Sequence, residues 1–268
     1  MEQTYASTNY GGDAAGNYEK YFVPSIGGPI AIDLLAKAEL KPGERVLDVA
    51  CGTGVVTRMA AKAVGPDQRV TGLDLNPGML AVARASQDAA SIDWMESDAD
   101  ALPFDDGKFD VVLCQMGLQF IQNKLAALRE MHRVLTPGGR ILVSVPGPKP
   151  KIFAVMGNGV SRHFGEEAGT FMELVFSLHD KDELSDLFSG AGFRDVNVGA
   201  EKKSLLVPPP REFLWQYIHS TPLAQAAEKA ERAVRDRLEA EVCPKLSNMV
   251  EADGTRFEVP ITTVCARL

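Results

Sequence analysis

The stretch Leu47-Asp48-Val49-Ala50-Cys51-Gly52-Thr53-Gly54 decides the fold. An apolar strand runs directly into a turn with glycines at 52 and 54, and a helical pattern follows from Gly54 to Val64. In an open parallel sheet such a turn sits at the carboxyl ends of the strands, where glycine lets the backbone approach a ligand that a side chain would exclude. Read alone, the turn also fits, less readily, a tight strand-to-helix connection without a ligand.

Outward from this stretch, short apolar runs alternate with longer helical segments. The runs are Val46 to Val49, Val70 to Asp74, Phe109 to Leu113 and Arg140 to Val145, with Trp94 to Ser97 as a weaker strand among them. This alternation points to a parallel sheet with helices on both faces. Pro29 to Ala38 and Lys124 to Leu135 carry apolar residues at helical spacing, and Thr136-Pro137-Gly138-Gly139 reads as a turn. Past Pro146 the regularity weakens. Lys151 to Phe176 reads as an insertion that is part helical, and Asp180 to Gly190 as a helix capped by Asp180 or Ser177. Strands are expected near Val196 to Gly199 and from Phe257 to Arg267, and Pro208 to Val250 is mostly helical by pattern.

The composition narrows the function. Hydrophobic residues make up 45% and charged residues 24% of the 268, and the mean hydropathy of -0.07 is that of a soluble globular protein. A net charge of -8 and a pI near 5.1 argue against nucleic acid as a partner, because that affinity comes from Lys and Arg meeting phosphates. Residues 1 to 20 show no basic start followed by an apolar stretch, and no run reaches ~18 apolar residues, so a cytoplasmic location without membrane insertion is expected. Cys51, Cys114, Cys243 and Cys265 lack metal-site spacing; free thiols and no metal are expected.

Asp74 closes the second strand where an acid can take both hydroxyls of a ribose, although a bare acid there is also a common helix cap. A dinucleotide site would want a third glycine near position 57, where this chain has Thr57. Asp48, ahead of the turn, disfavours a pyrophosphate and suits a cationic ligand.

Val46 to Thr57, Gly72 to Leu80, Ser97 to Phe104, Phe109 to Phe120 and Pro137 to Val145 together resemble the successive motifs of class I S-adenosylmethionine methyltransferases. Within that class the chain resembles the ubiquinone/menaquinone-methyltransferase-like small-molecule group over residues 18 to 200. The resemblance implies S-adenosyl-L-methionine as cofactor. Asp48 and Ala50, Cys51, Gly52, Thr53 and Gly54 would hold its methionine part, and Asp74 the ribose hydroxyls. Leu75 and Met79 would flank the adenine, and Asp98 with Ala99 would read its amino group and ring nitrogen. Cys114 and Gln115 would lie by the methionine part and the methyl group, and Tyr18, in Asn17-Tyr18-Glu19-Lys20-Tyr21-Phe22, would fold over the cofactor. Taken singly, Asp98 is also an ordinary loop acid, Leu75 and Met79 ordinary core, and the arm's aromatics, Tyr5, Tyr10 and Tyr21 included, could simply pack.

The expected fold is therefore α/β: a Rossmann-like, mostly parallel seven-stranded sheet with helices on both faces, an antiparallel last strand and helical cap insertions. Its expected parts are an arm and helix over 1-44, a core over 45-207 with 257-268 that carries the 151-176 insertion, and a helical cap over 208-256.

Methyl transfer from a sulfonium is a direct displacement that needs alignment and exclusion of water, not a covalent enzyme intermediate. No catalytic residue is assigned. His132 reads as structural or solvated, and His163, His179 and His219 lie in or beside the insertions but read more readily as ordinary surface residues. Phe153, Met156, Phe164, Phe171, Met172, Phe176, Phe213, Leu214, Trp215 and Tyr217 make those insertions apolar enough to suggest a hydrophobic or aromatic small-molecule acceptor. A non-catalytic cofactor-binding protein and an NAD-dependent oxidoreductase are the alternatives. Monomer and homodimer are both open.

Overall fold

A computed structural model describes residues 13–66, 70–86 and 92–268 of the chain; Tyr5 and Tyr10 lie outside the described residues. The strands are β1 (Val46–Val49), β2 (Val70–Asp74), β3 (Ile92–Glu96), β4 (Phe109–Gln115), β5 (Leu135–Pro146), β6 (Arg194–Val207), β7 (Val250–Glu251) and β8 (Gly254–Arg267). They form one sheet in the order β3-β2-β1-β4-β5-β8-β6, with β7 as a short extra strand on β8. The seven expected strands are all present on this path. β1 to β5 pair in parallel, and β8 runs antiparallel to both β5 and β6.

The helices are α1 (Ala14–Asn17), α2 (Gly28–Ala38), α3 (Val55–Val64), α4 (Pro77–Ala85), α5 (Lys124–Arg133), α6 (Lys151–Phe164), α7 (Glu166–Val175), α8 (Lys181–Gly190), α9 (Pro210–His219), α10 (Leu223–Lys229) and α11 (Arg232–Val242). Period-two alternation in the strands divides the core. Val46, Val111 and Leu113 face α2 and α3 together with Ala31, Leu34, Val56 and Ala60. Leu47, Val49 and Val112 pack on the other side with Leu128 and Met131 of α5 and Leu184 and Phe188 of α8.

One open choice in the sequence reading is decided, and several elements differ from it. Asp180 is the cap of α8: its Oδ1 accepts from the Asp182 and Glu183 backbone N–H groups, both at 2.9 Å. The segment 151-176 is two full helices rather than part helical, because Gly165 separates two apolar-faced runs at a φ of +101°. The turn at Thr136 to Gly139 lies inside β5 as an irregularity. Phe109 pairs with Leu135 and Val111 with Arg140, so the intervening β5 residues bulge out opposite Asp110. Residues 14–38 form a continuous helical arm, whereas helical spacing was read only from Pro29 to Ala38. Its middle, Tyr18–Gly27, is π-helical and contains Pro24, which has no N–H to donate; the Gly28 N–H reaches the Val23 carbonyl five residues back.

β6 and β8 outrun the sheet. β5 ends against β8 at Pro146–Ile261, but β8 and β6 continue as a ribbon from Lys202↔Pro260 to Val207↔Thr255. Gly147 leaves the sheet there, donating to the Pro260 carbonyl at 2.7 Å. Leu205, Val207, Phe257, Val259 and Ile261 of the ribbon are buried in one cluster with Phe153, Phe171, Phe213, Leu214 and Tyr217 of the cap helices. The cap therefore stands on the strands of the core.

Candidate functional site

The order β3-β2-β1-β4-β5 reverses direction between β1 and β4, and crevices at such points lie beyond the carboxyl ends of the strands. A cavity of ≈280 Å3 lies there. Tyr18, Asp48, Ala50, Cys51, Gly52, Asp74, Leu75, Met79, Asp98, Ala99 and Gln115 all line it. Thr53, Gly54 and Cys114, singled out with them, do not. Thr53 is buried beneath the turn and Cys114 within the sheet.

Gly54 serves the turn by what it lacks. A Cβ there would sit 2.2 Å from the Trp94 ring, and its φ is +87°. Gly72 meets the same ring, its Cβ position lying 2.6 Å from it, so Trp94 of β3 packs under the glycine turn across two strands. Gly117 is the matching close approach after β4: a Cβ would lie 2.5 Å from that of Ala50. Ala50 and Met116, one at each of these strand ends, hold φ values of 56° and 52°, a left-handed conformation that costs a non-glycine residue energy and clusters at functional sites.

One buried and one half-buried acid set the electrostatics. Asp48 is 1% exposed, and the Thr57 hydroxyl donates to its Oδ2 at 2.6 Å. Burial pushes its carboxyl up to about 7 against the opposing Thr57 bond, and the neighbouring charge of Asp74 adds to the rise. Asp74 is raised by burial as well, while the Gly52 N–H donates to its Oδ2 at 2.7 Å and the Asn76 N–H to its Oδ1 at 2.8 Å. Asn76 in turn caps α4, accepting from the Met79 N–H at 3.0 Å. An apolar enclosure that holds two carboxylates favours a cation.

The arm covers this end. Tyr18, Phe22, Ile26 and Ile30, four residues apart, all line the cavity, and the Tyr18 and Phe22 rings stack at 4.6 Å. Arg58 of α3 ties the arm to the turn: it meets Glu19 Oε1 at 2.7 Å and donates to the Thr53 carbonyl at 2.5 Å, with its side chain 11% exposed. Gln115 Nε2 donates to the Gly27 carbonyl at 3.0 Å.

The cavity continues into an aromatic part lined by Phe120, Phe153, Phe171, Phe176 and Tyr217. Phe120 and Phe171 stack at 6.2 Å with an interplanar angle of 5°, and Phe153 touches Phe176 and Tyr217, both at 5.2 Å. None of the four histidines lines the cavity. His163 pairs with Glu241 at 2.9 Å, the His179 Nδ1 lies 2.8 Å from the Phe176 carbonyl, and His132 packs edge-on to Phe193. The sequence reading passed over Thr57, which it noted only as a missing glycine, and over Asn76, Phe120 and Gln119; it named Phe22 only as part of the arm. A hydroxyl nine residues after a buried acid is the one local signal that could have drawn attention to Thr57.

Residues 46–139 match a family model described as "Methyltransferase domain". The chain is 36% identical over 180 residues to the demethylmenaquinone methyltransferase of Staphylococcus carnosus, covering 62% of this chain and 74% of that one. Among solved structures it resembles a methyltransferase from Bacillus halodurans, with a TM-score of 0.58, 24% identity and coverage of 88% of this chain and 97% of that one. It also resembles phosphoethanolamine N-methyltransferase 2 of Haemonchus contortus, with a TM-score of 0.60, 22% identity and coverage of 94% and 56%. The chain belongs to the class I S-adenosylmethionine-dependent methyltransferases, in the quinone-methyltransferase-like group. S-adenosylmethionine is its cofactor and methyl transfer its activity. The residues present fit that cofactor, since the Asp48 and Asp74 carboxyl groups that line the cavity at the strand ends suit a sulfonium and an ammonium where a pyrophosphate would be repelled. Among the described residues no helix is long and apolar enough to cross a membrane.

Proposed function

We propose that the methyl acceptor is a small, neutral, hydrophobic or aromatic molecule held in the aromatic part of the cavity. The observation that carries this is the distribution of charge along one continuous wall. Its carboxylates, Asp48, Asp74, Asp98 and Asp100, belong to the strand-end part; the cap-side part is lined by rings, and among the described residues no Lys, Arg or His lines either. An anionic acceptor would meet no cation there, whereas a neutral ring meets other rings. The relative from Staphylococcus carnosus, named for demethylmenaquinone, supports an aromatic acceptor.

In this reading Asp74 takes the ribose hydroxyls with the acceptor capacity left after Gly52 and Asn76. Leu75 and Met79 flank the adenine, and Asp98 with Ala99 reads its edge. Asp48 and the Ala50 to Gly54 turn hold the methionine part, with Cys114 and Gln115 beside it, and Tyr18 closes over it. The bound cofactor supplies a methyl group on a positively charged sulfur. The chain's own residues align the acceptor with it and keep water out. With no histidine in the wall, the acceptor brings its own nucleophilic atom. The division into an arm over 1-44, a core over 45-207 with 257-268 that carries the 151-176 insertion, and a cap over 208-256 follows these roles: the arm covers, the core holds the cofactor, and the insertion and the cap enclose the acceptor.

The test is methyl transfer from labelled S-adenosylmethionine to 1,4-dihydroxynaphthalene and to its 2-carboxylate, both kept reduced. The neutral ring should be methylated and the carboxylate not. Equal transfer to both, or transfer to the carboxylate alone, refutes a neutral acceptor.

A further inference from the structure

Two side-chain amides in the cavity wall have oxygens without partners. Gln115 Nε2 donates to the Gly27 carbonyl and Gln119 Nε2 to the Met116 carbonyl, each at 3.0 Å. A carbonyl only accepts, so each contact fixes which end of the amide is nitrogen. Each Oε1 is then the opposite end, buried and without a hydrogen-bond partner among the described residues. Folded proteins rarely leave a buried amide oxygen unanswered, and a ligand is one reason that they do.

Gln115 already has a place beside the cofactor. Gln119 has none. It is 1% exposed and sits in the 3-10 turn Leu118–Phe120, next to the ring that stacks on Phe171. The turn is held from both sides, by the Phe120–Phe171 stack and by the Gln119 bond to Met116, whose own N–H donates to the Ser144 carbonyl at 2.7 Å. Thr221, another polar residue of this wall, spends its hydroxyl proton on the Ile218 carbonyl at 3.1 Å.

We propose that Gln119 is a specificity-determining residue of the acceptor site, its amide oxygen accepting a hydrogen bond from a hydroxyl or N–H of the acceptor. The enzyme then selects a ring that carries this donor over the same ring with the donor capped. Such selection is strong because the capped analogue leaves the protein's own polar group unpaired. The proposal rests on the aromatic reading of the chamber given above.

The test titrates the full chain, saturated with S-adenosylhomocysteine, with 2-naphthol and with 2-methoxynaphthalene. Wild type should bind the naphthol at least ~10-fold more tightly than its methyl ether. Gln119→Met, which keeps the length and removes the amide, should bring the two within about 2-fold by weakening the naphthol alone. Equal binding of both probes to wild type overturns the role of Gln119 and leaves the aromatic acceptor standing. Failure of both to bind wild type removes the aromatic reading itself, and the Gln119 proposal with it. A naphthol preference that persists in Gln119→Met assigns the recognition elsewhere. The wild-type pair decides the donor preference even if the variant folds poorly.

Discussion

The Thr57 hydroxyl donates to the Asp48 carboxylate at 2.6 Å, joining the first turn of α3 to the end of β1 beneath the glycine turn. This is the side-chain bond that helps to keep a fully buried acid ionised, and removing it has a defined cost. Thr57→Val preserves the shape and deletes the donor. Hydrogen bonds to charged groups contribute about 1.5–3 kcal/mol, so cofactor affinity should fall by roughly 10-fold or more. Calorimetric titration with S-adenosylmethionine measures it, and unchanged affinity would separate Asp48 from cofactor binding.

Asp48 also makes the protein pH-sensitive. Its folded value, pushed up to about 7, lies above the ordinary 3.8. Between those values the folded chain binds a proton that the unfolded chain has released, so stability falls as pH rises through this window and levels off above about 7. Asp74, raised in the same sense, adds to the slope. A cationic ligand draws the ionised form, so cofactor affinity should move oppositely, weakening by up to ~10-fold per unit below pH 7. Asp48→Asn should make both profiles shallower and leave the part that Asp74 contributes; chemical unfolding and titration from pH 5 to 8 would show slopes unchanged from wild type if Asp48 is not responsible.

Gly54 and Gly43 offer a controlled comparison. Both have positive φ, +87° and +84°, but a Cβ on Gly43 meets nothing within 4 Å while one on Gly54 collides with Trp94. Gly43→Ala should cost only backbone strain, about 1 kcal/mol. Gly54→Ala should cost a further ~1–3 kcal/mol for displacing a packed ring, lowering Tm by roughly 2–4 °C for each kcal/mol in a chain of this size. Equal Tm losses in the two variants would mean that Trp94 yields freely.

Arg58 links cover to turn. Arg58→Ala removes both the Glu19 pair and the donor to the Thr53 carbonyl, and leaves the partly buried Glu19 carboxylate unpaired. The loss should be about 1–2 kcal/mol, short of a fully buried pair because Glu19 is one-third exposed. It should appear as faster proteolysis within residues 14–27 and as weaker cofactor binding. Limited proteolysis with and without S-adenosylhomocysteine reads both; an arm cleaved no faster than in wild type would free it from this tie.

The core was legible in the sequence because its signals are local. Val46 to Val49 and Val70 to Asp74 are short apolar runs of the kind that only a doubly covered parallel strand needs, and Gly52 and Gly54 mark where the backbone turns. The acids followed from their places at strand ends. What stayed hidden depends on partners distant in sequence. Trp94 looked like a strand residue because Gly54 and Gly72, its partners, are brought to it only by the sheet. The bulge at Thr136 to Gly139 exists through register with Asp110, and the arm is helical because a cavity receives Tyr18, Phe22 and Ile26. The aromatic chamber was visible as composition, yet which rings face the cavity depends on the ribbon of β6 and β8.

That ribbon limits how the enzyme can be re-engineered. β8 is one uninterrupted strand whose far half, Val264 and Ala266 among it, locks into the catalytic sheet while Val259 lines the floor of the acceptor chamber and Phe257 packs behind it on Phe153 and Phe213. Grafting the helices between Pro208 and Val250 from a relative would exchange the roof and leave the floor behind. A change of acceptor therefore calls for paired alterations on both sides of the chamber, and those on β8 are transmitted along a strand that also supports the sheet.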